Sequence, residues 1–354
     1  MSSTATTAPV RVILFGMGTV GRAALRLART RQWLHPVGAV IGSSASARGR
    51  IESGEHPADL RWSTDADLLL DQLRPEVALI ATRSPVTDVK EDIIRCVERG
   101  VSVVTSSEEM FYPNVADPAA AGEIEAACRA GGAAVVATGI NPGYVFDVLP
   151  VVIAGASWDV QRVSVTRMLD CSVFGRTVHR LLGVGYSPAG FEEARRAGII
   201  RGHIGFEESA RVIARVMGRD LDRFEENVQP LIAEQPYQLA EYVVSAGETA
   251  GVVQDATGWV GGSPWLRFDL SLHVDPESVG IQTRDHIRIE GENTLDVTIQ
   301  PGTQSILTTS ALLVNTIPAV LSAPPGLYTA TDLLPAAPWL GADPPPGIRS
   351  RIQG

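Results

Sequence analysis

The segment RVILFGMGTVGRAALRLART, from Arg11 to Thr30, restricts the possible folds more than any other part of the chain. Val12 to Phe15 form a short apolar run suited to a strand buried on both faces. Gly16, Gly18 and Gly21 follow as G-x-G-x-x-G, and behind them Val20, Ala24, Leu27 and Ala28 recur at helical spacing. Each glycine has a physical task. Gly16 permits a tight exit from the strand, Gly18 lets a pyrophosphate approach the backbone, and Gly21 lets helix and strand pack closely. Free N–H groups at the helix start then face the phosphates. The string alone is weak, but between a strand and a helix it predicts a dinucleotide site formed by Gly16, Met17, Gly18, Thr19, Val20 and Gly21.

The second strand indicates which dinucleotide. A strand is expected over Val37 to Ile41, and an NAD-binding chain carries Asp or Glu at its end to hold the ribose hydroxyls. Here Ile41 and Gly42 are followed by Ser43, Ser44 and then Arg48. No carboxylate repels a 2′-phosphate, two hydroxyls can donate to one, and an arginine lies nearby. The expectation is NADP(H) over NAD(H), with NAD(H) tolerated. A solvated loop charge is nearly as good a reading of Arg48 as a phosphate contact.

The strand–helix alternation continues to about residue 147. Helical segments are expected from Asp65 to Leu73 and over TDVKEDIIRCVERG, which stops at Gly100. Another should run from the cap Asp117 and Pro118 to Gly131. Buried strands are expected from Glu76, Val101 and Ala133. Such alternation implies a doubly wound parallel sheet, the Rossmann architecture, with ligands beyond the carboxyl ends of its strands. Those ends include Thr82 and Arg83, the loop TSSEEMFYP with Glu108 and Glu109, and GINPGYVFD with Asn141. Thr82, Arg83 and Asn141 join the expected cofactor contacts. A carboxylate in the TSSEEMFYP loop, beside aromatic surface, can act as a general base or anchor a cation. Paired loop glutamates that are merely solvated or cap a helix would look the same in sequence.

After Asp147 the pattern changes. VQRVSVTRMLDCS alternates like a half-buried strand, GFEESARVIARVMG carries a helical stripe, and strands and turns dominate from Val228. This predicts an α+β domain with a largely antiparallel sheet. The expected organisation is a nucleotide domain over 1–147, a substrate and dimerisation domain over 148–304, and a helix over 305–323 packing back on the first domain. Seven of the 23 prolines fall between Pro324 and Pro346, so 324–354 reads as an extended tail.

A formal charge of -10 disfavours nucleic-acid and anionic-membrane surfaces. The longest apolar runs fall short of a membrane span, and the first residues lack a secretory signal, so a cytoplasmic setting is expected. The six histidines show no HxH or HxxxH spacing, and the three cysteines form no CxxC, which argues against a metal site.

Taken together, GMGTVGRAALR, VSVVTSSEEMFYP, ATGINPGYVFDVLP, GHIGFEES and LLVNTIPAVL resemble the 2,4-diaminopentanoate dehydrogenases and the related NAD(P)H-dependent native amine dehydrogenases. The resemblance runs from Arg11 to Leu334, with a wider likeness to dihydrodipicolinate reductase architecture. It implies reversible reductive amination, in which a ketone or aldehyde, ammonia and NAD(P)H give a primary amine, carried out by a homodimer. It also implies a catalytic carboxylate in a stretch that maps to Ser107-Glu108-Glu109, with the role carried to Glu108 and serine in place of the usual cysteine. Tyr144, Phe146, Phe174, His179, Leu182 and His203 are the candidate pocket lining, a largely bulky or cyclic set that favours small uncharged carbonyls. A lone histidine is more often a packed or surface residue than a ligand contact. Two other readings remain open: a dihydrodipicolinate reductase-like C=N or C=O reductase that does not use ammonia, and a non-catalytic NADP-sensing protein. The first needs basic residues to hold a dicarboxylate, and its KxGTP-like motif is missing.

Overall fold

The computed structural model describes residues 8–42, 59–333 and 336–345. The chain divides into two compact units, Met1–Tyr144 with Gln304–Gly354 and Val145–Thr303.

The first unit is built on β1 (Val10–Phe15), β2 (Leu34–Val40), β3 (Arg61–Ser63), β4 (Val77–Ile80), β5 (Ser102–Thr105), β6 (Ala134–Ala137) and β15 (Gly326–Thr329). These form a parallel seven-stranded sheet in the order β15-β6-β5-β4-β1-β2-β3. β4, β5 and β6 are buried along their whole length, as helices on both faces require. Those helices include α1 (Thr19–Arg29), α2 (Ala66–Leu73), α3 (Val86–Val97), the short α4 (Pro113–Ala116) and α5 (Pro118–Gly131). The cap foreseen at Asp117 is in place, accepting the Ala120 N–H with Pro118 opening the helix, and α2 is capped by Asp65, which accepts the Leu68 N–H.

The sheet reverses direction of growth at β1, whose neighbours are β2 and β4. Because all strands run parallel, the loops after β1, β4, β5 and β6 emerge at one edge, where an open α/β sheet binds ligands. The chain returns to this unit through α10 (Ser305–Asn315) and α11 (Ile317–Ser322). Residues 305–322 are long and apolar enough by composition to cross a membrane, at a mean hydropathy of 1.5, yet half of the stretch is buried within the protein. α10 lies against α1, with the Ser310 hydroxyl donating to the Val20 carbonyl at 3.1 Å. Leu313, Val314, Ile317 and Val320 enter the same core as Val12, Leu14 and Leu79. The proline-rich segment from 324, expected as an extended tail, instead supplies β15. Only four residues separate two turns there, too short for periodicity to register, but pairing with β6 satisfies their backbone groups.

The second unit carries β7 (Arg162–Asp170), β8 (Arg223–Ile232), the small hairpin β9 (Tyr237–Gln238) and β10 (Val243–Val244), β11 (Thr249–Val260), β12 (Ser263–His273), β13 (Arg284–Glu290) and β14 (Leu295–Ile299). Six of them form a sheet in the order β14-β13-β7-β12-β11-β8, antiparallel except where β12 meets β7. Its helices include α6 (Val148–Ala154), α7 (Arg176–Leu182), α8 (Pro188–Arg196) and α9 (Phe206–Val216). α9 buries Phe206, Ala210, Ile213 and Ala214 as its stripe demands. Across the core Phe206 meets Phe146 and Phe268, with ring centroids 4.8 and 5.3 Å away. β7 and β13 contribute a fully buried ion pair, Arg167 with Asp285 at 3.5 Å. Thr303 closes this pair into a triad by accepting from Arg167 and donating to Asp285.

Candidate active site

The glycine loop after β1 has the geometry its spacing implies. Gly16 sits at φ +85°, and a Cβ there would fall 2.5 Å from the Ala81 carbonyl oxygen. A Cβ on Gly21 would lie 2.0 Å from the Gly16 carbonyl oxygen, so only glycine lets α1 pack this closely. Gly18 differs: a Cβ on it would meet nothing within 4 Å. That open space is what an approaching pyrophosphate needs. No side chain caps the N-terminus of α1 and no acidic residue stands in its first turn, which leaves the N–H groups and the positive end of the helix dipole to an anion. Thr19 is exposed, Val20 half-buried and Met17 buried, its carbonyl held by Arg22 at 3.0 Å.

Thr82 packs against Gly16, its methyl 2.9 Å from where a Gly16 Cβ would stand. Arg83 is 71% exposed and pairs with Asp88 at 3.4 Å. Asn141, beyond β6, has a buried Oδ1 without a hydrogen-bond partner. A buried amide oxygen of this kind costs stability unless a ligand donor reaches it. An open face at Gly18, an uncapped helix start and an orphan acceptor fit a bound dinucleotide. Ser43, Ser44 and Arg48 lie outside the described residues.

The two glutamates after β5 have different surroundings. Glu109 turns back to the β4–α3 loop, where its Oε2 accepts the Val86 N–H at 2.8 Å and so caps α3. Glu108 is half-buried, and burial pushes its carboxyl above the ordinary glutamate value, aided by the adjacent Glu109 charge. Hydrogen bonds from Ser84 and its own backbone offset this in part. Ser84 also anchors the loop through its carbonyl, which accepts from the Ser107 hydroxyl at 2.6 Å and from the Glu109 N–H at 3.3 Å. Sequence reading missed Ser84. Its only signal is its place one residue beyond Arg83, at the carboxyl end of β4.

The expected lining residues separate. Tyr144 ends the first stretch of the nucleotide unit and is half-buried. In the second unit Phe146 and His203 come together, with ring centroids 6.4 Å apart. Phe146 is fully buried, Leu182 is 5% exposed and Phe174 is half-buried. His179 is turned inward. Its Nε2 meets the Cys171 carbonyl at 2.7 Å and its Nδ1 meets the Tyr242 hydroxyl at 2.8 Å, so both ring nitrogens are committed to the protein. His203 keeps a half-buried ring, and burial with the Arg167 charge pushes its pKa down to about 3.

Fold and glycine loop define a protein of the dinucleotide-binding α/β class. A sequence model of the 2,4-diaminopentanoate dehydrogenase C-terminal domain matches residues 144–343. The 2,4-diaminopentanoate dehydrogenase of Acetoanaerobium sticklandii is 30% identical over 92% of this chain and 93% of its own length. An amine dehydrogenase of Streptomyces virginiae is 23% identical over 94% of this chain and 98% of its own length. The structure of an amine dehydrogenase from Mycobacterium smegmatis shares the fold, with a TM-score of 0.82 at 24% identity, covering 93% of this chain and 97% of that one. The chain belongs to the 2,4-diaminopentanoate dehydrogenase family, oxidoreductases acting on CH–NH2 donors.

Proposed function

We propose that this chain is an NADP-preferring amine dehydrogenase that reversibly converts small ketones or aldehydes and ammonia into primary amines, with Glu108 as its acid–base group. The observation that carries this reading is the division of labour between neighbours. Glu109 is spent on the start of α3, whereas Glu108 stands at the ligand-binding edge of the sheet with its proton held more tightly than usual. The names of the relatives, a 2,4-diaminopentanoate dehydrogenase and amine dehydrogenases, support the amine as substrate.

The nitrogen of this reaction is neutral or cationic throughout, so a carboxylate suits every stage. Ionised Glu108 takes a proton from ammonium and frees the ammonia lone pair for attack on the carbonyl carbon. The acid so formed returns its proton to the hydroxyl of the carbinolamine, and water leaves as the C=N bond forms. Glu108 is then an anion beside the iminium cation and stabilises it. A nicotinamide dinucleotide, when bound, supplies the hydride that reduces the iminium, or takes it from the amine in the reverse direction. The glycine loop, Thr82 and Asn141 would hold that cofactor. The absence of an acid in Gly42-Ser43-Ser44 and the presence of Arg48 support NADP(H) over NAD(H). A homodimer, resting on the family likeness, completes the proposal.

NADPH oxidation over a panel of small carbonyls, with and without ammonium, tests the reading. Oxidation should depend on ammonium and favour uncharged ketones and aldehydes. Equal rates without ammonium would make the chain a plain carbonyl or imine reductase, and preference for a 2-oxo acid would refute the expected pocket.

A further inference from the structure

Thr309, on α10, is buried and takes no part in the machinery described so far. Its Oγ1 accepts the buried Ile140 N–H at 3.2 Å. That group lies two residues past Thr138, whose own N–H donates to the Thr105 carbonyl of β5 at 2.8 Å. The loop that follows β6 closes on itself. Gly143 sits at φ +126°, and a Cβ there would fall 2.1 Å from the Gly139 nitrogen. A Cβ on Gly139 would meet the Pro142 carbonyl oxygen at 3.2 Å and the Thr309 methyl at 3.6 Å. Residues 139–143 therefore form one compact piece, and Thr309 holds it by its backbone.

The next residue on α10 reaches the glycine-loop side of the same edge. The Ser310 hydroxyl shares its proton between the Ile306 carbonyl at 2.7 Å and the Val20 carbonyl at 3.1 Å. Val20 lies in the first turn of α1, two residues beyond the open Gly18. Consecutive residues of one helix thus join the phosphate-binding start of α1 to the loop that carries Asn141. All of them belong to the first unit.

β6 stands three strands from β1, on the side away from β2. At the usual strand spacing that is about 14 Å along the sheet. The end of β2 takes the adenosine ribose and the start of α1 the pyrophosphate, so the other half of a dinucleotide runs towards β4, β5 and β6. Its far end is the nicotinamide carboxamide, whose amino group is a hydrogen-bond donor. The Asn141 Oδ1 is a buried acceptor with no partner among the described residues. Glu108, the proposed acid–base group, follows β5, the strand next to β6.

We infer that Thr309 is the positioning residue that sets the Asn141 amide to accept from the nicotinamide carboxamide. The inference rests on the proposed nicotinamide cofactor and deepens it, by assigning the pair of residues that selects a carboxamide-bearing ring.

Dissociation constants measured by calorimetry on the full chain test this with three ligands. They are NADP+, its 3-acetylpyridine analogue, whose acetyl group has no N–H, and 2′-phospho-ADP-ribose, which has no nicotinamide. The parent should bind NADP+ about tenfold more tightly than the acetyl analogue, the scale of one hydrogen bond. Thr309→Val keeps the shape of the side chain and removes the acceptor. It should bring that ratio down to about one and leave 2′-phospho-ADP-ribose within about twofold of the parent. Thr309→Ser should restore the parent ratio. Ser310→Ala acts at the end that all three ligands share and should change their dissociation constants by one common factor. A residue that merely stabilised α10 would weaken all three ligands together in Thr309→Val and leave the ratio untouched, and that result would overturn the positioning role. Equal affinity of the parent for NADP+ and the acetyl analogue, which needs no variant to fold, would overturn the Asn141 contact. No arm depends on turnover. A parent that discriminates as expected but shows no ammonium-dependent oxidation keeps the assignment of Thr309 and loses the proposed activity. One that turns over without discriminating keeps the activity and loses the assignment, and one that binds none of the three ligands loses both.

Discussion

Glu108 and Glu109 offer a paired experiment, because the same substitution at adjacent positions should have opposite consequences. Replacing Glu109 by Gln keeps an oxygen for the Val86 N–H but removes the negative charge at the start of α3. Charge at a helix N-terminus contributes about 0.3–1 kcal/mol, which for a unit of this size lowers Tm by about 1–4 °C. Turnover should change little. Glu108→Gln should instead lower ammonium-dependent NADPH oxidation by about 10²-fold or more, the usual scale for a positioned proton-transfer group. Its effect on stability follows from linkage. The Glu108 pKa is raised in the folded state, so the fold holds that proton more tightly than the unfolded chain does. The stability this provides is complete below the ordinary value of 4.5 and is lost as pH rises through the raised folded value. Glutamine has no proton to lose. The variant should therefore melt at or above the parent at about pH 8, with the difference shrinking towards about pH 4. Thermal melts across that range, beside steady-state rates for both variants, measure each quantity. The reasoning fails if Glu109→Gln loses turnover while Glu108→Gln retains it, or if the parent and Glu108→Gln melt with the same pH dependence.

The acid limb of kcat/KM for amination should lie above 4.5 in the parent protein and be absent from residual Glu108→Gln activity, as a pH–rate profile would show. Gly18→Ala should leave Tm unchanged but weaken NADPH binding about tenfold or more by obstructing a charged hydrogen bond, measurable by fluorescence titration. Gly21→Ala, whose methyl would meet the Gly16 carbonyl, should cost about 1–3 kcal/mol in urea unfolding. Arg48→Ala should raise KM for NADPH several-fold and leave KM for NADH unaffected; equal effects on both would detach Arg48 from the 2′-phosphate. Arg167→Met should destabilise the second unit by about 3–5 kcal/mol by leaving Asp285 buried without its cation, and the double variant with Asp285→Leu should recover much of that loss in the same unfolding assay.

What could be read from the residues was whatever is encoded locally. The glycine loop, the cap at Asp117, and the alternation of buried strands with helices each need only neighbours in sequence. What escaped depends on distant partners. Glu108 and Glu109 are the same residue type on the same loop, and it takes Val86, 23 positions away, to tie Glu109 to the start of α3. That the ring nitrogens of His179 are both engaged depends on Tyr242, 63 positions on. Thr309 carries no sequence signal, because its meaning lies in the backbone of a residue 169 positions earlier. β15 is too short for periodicity and is surrounded by prolines, so its pairing with β6 is visible only once the sheet is assembled.

The placement of β15 has a consequence for biosynthesis. The ribosome finishes β6 early, yet the strand that covers its outer edge emerges only after the whole of Val145–Thr303 has been made. Throughout that interval the nascent nucleotide unit lacks α10 and α11 and leaves the outer edge of the apolar strand Ala134–Ala137 unpaired. Vectorial synthesis thus makes the last part of the chain a closing clasp, and translation that stalls before Gly326 should yield a sticky intermediate in need of chaperone protection.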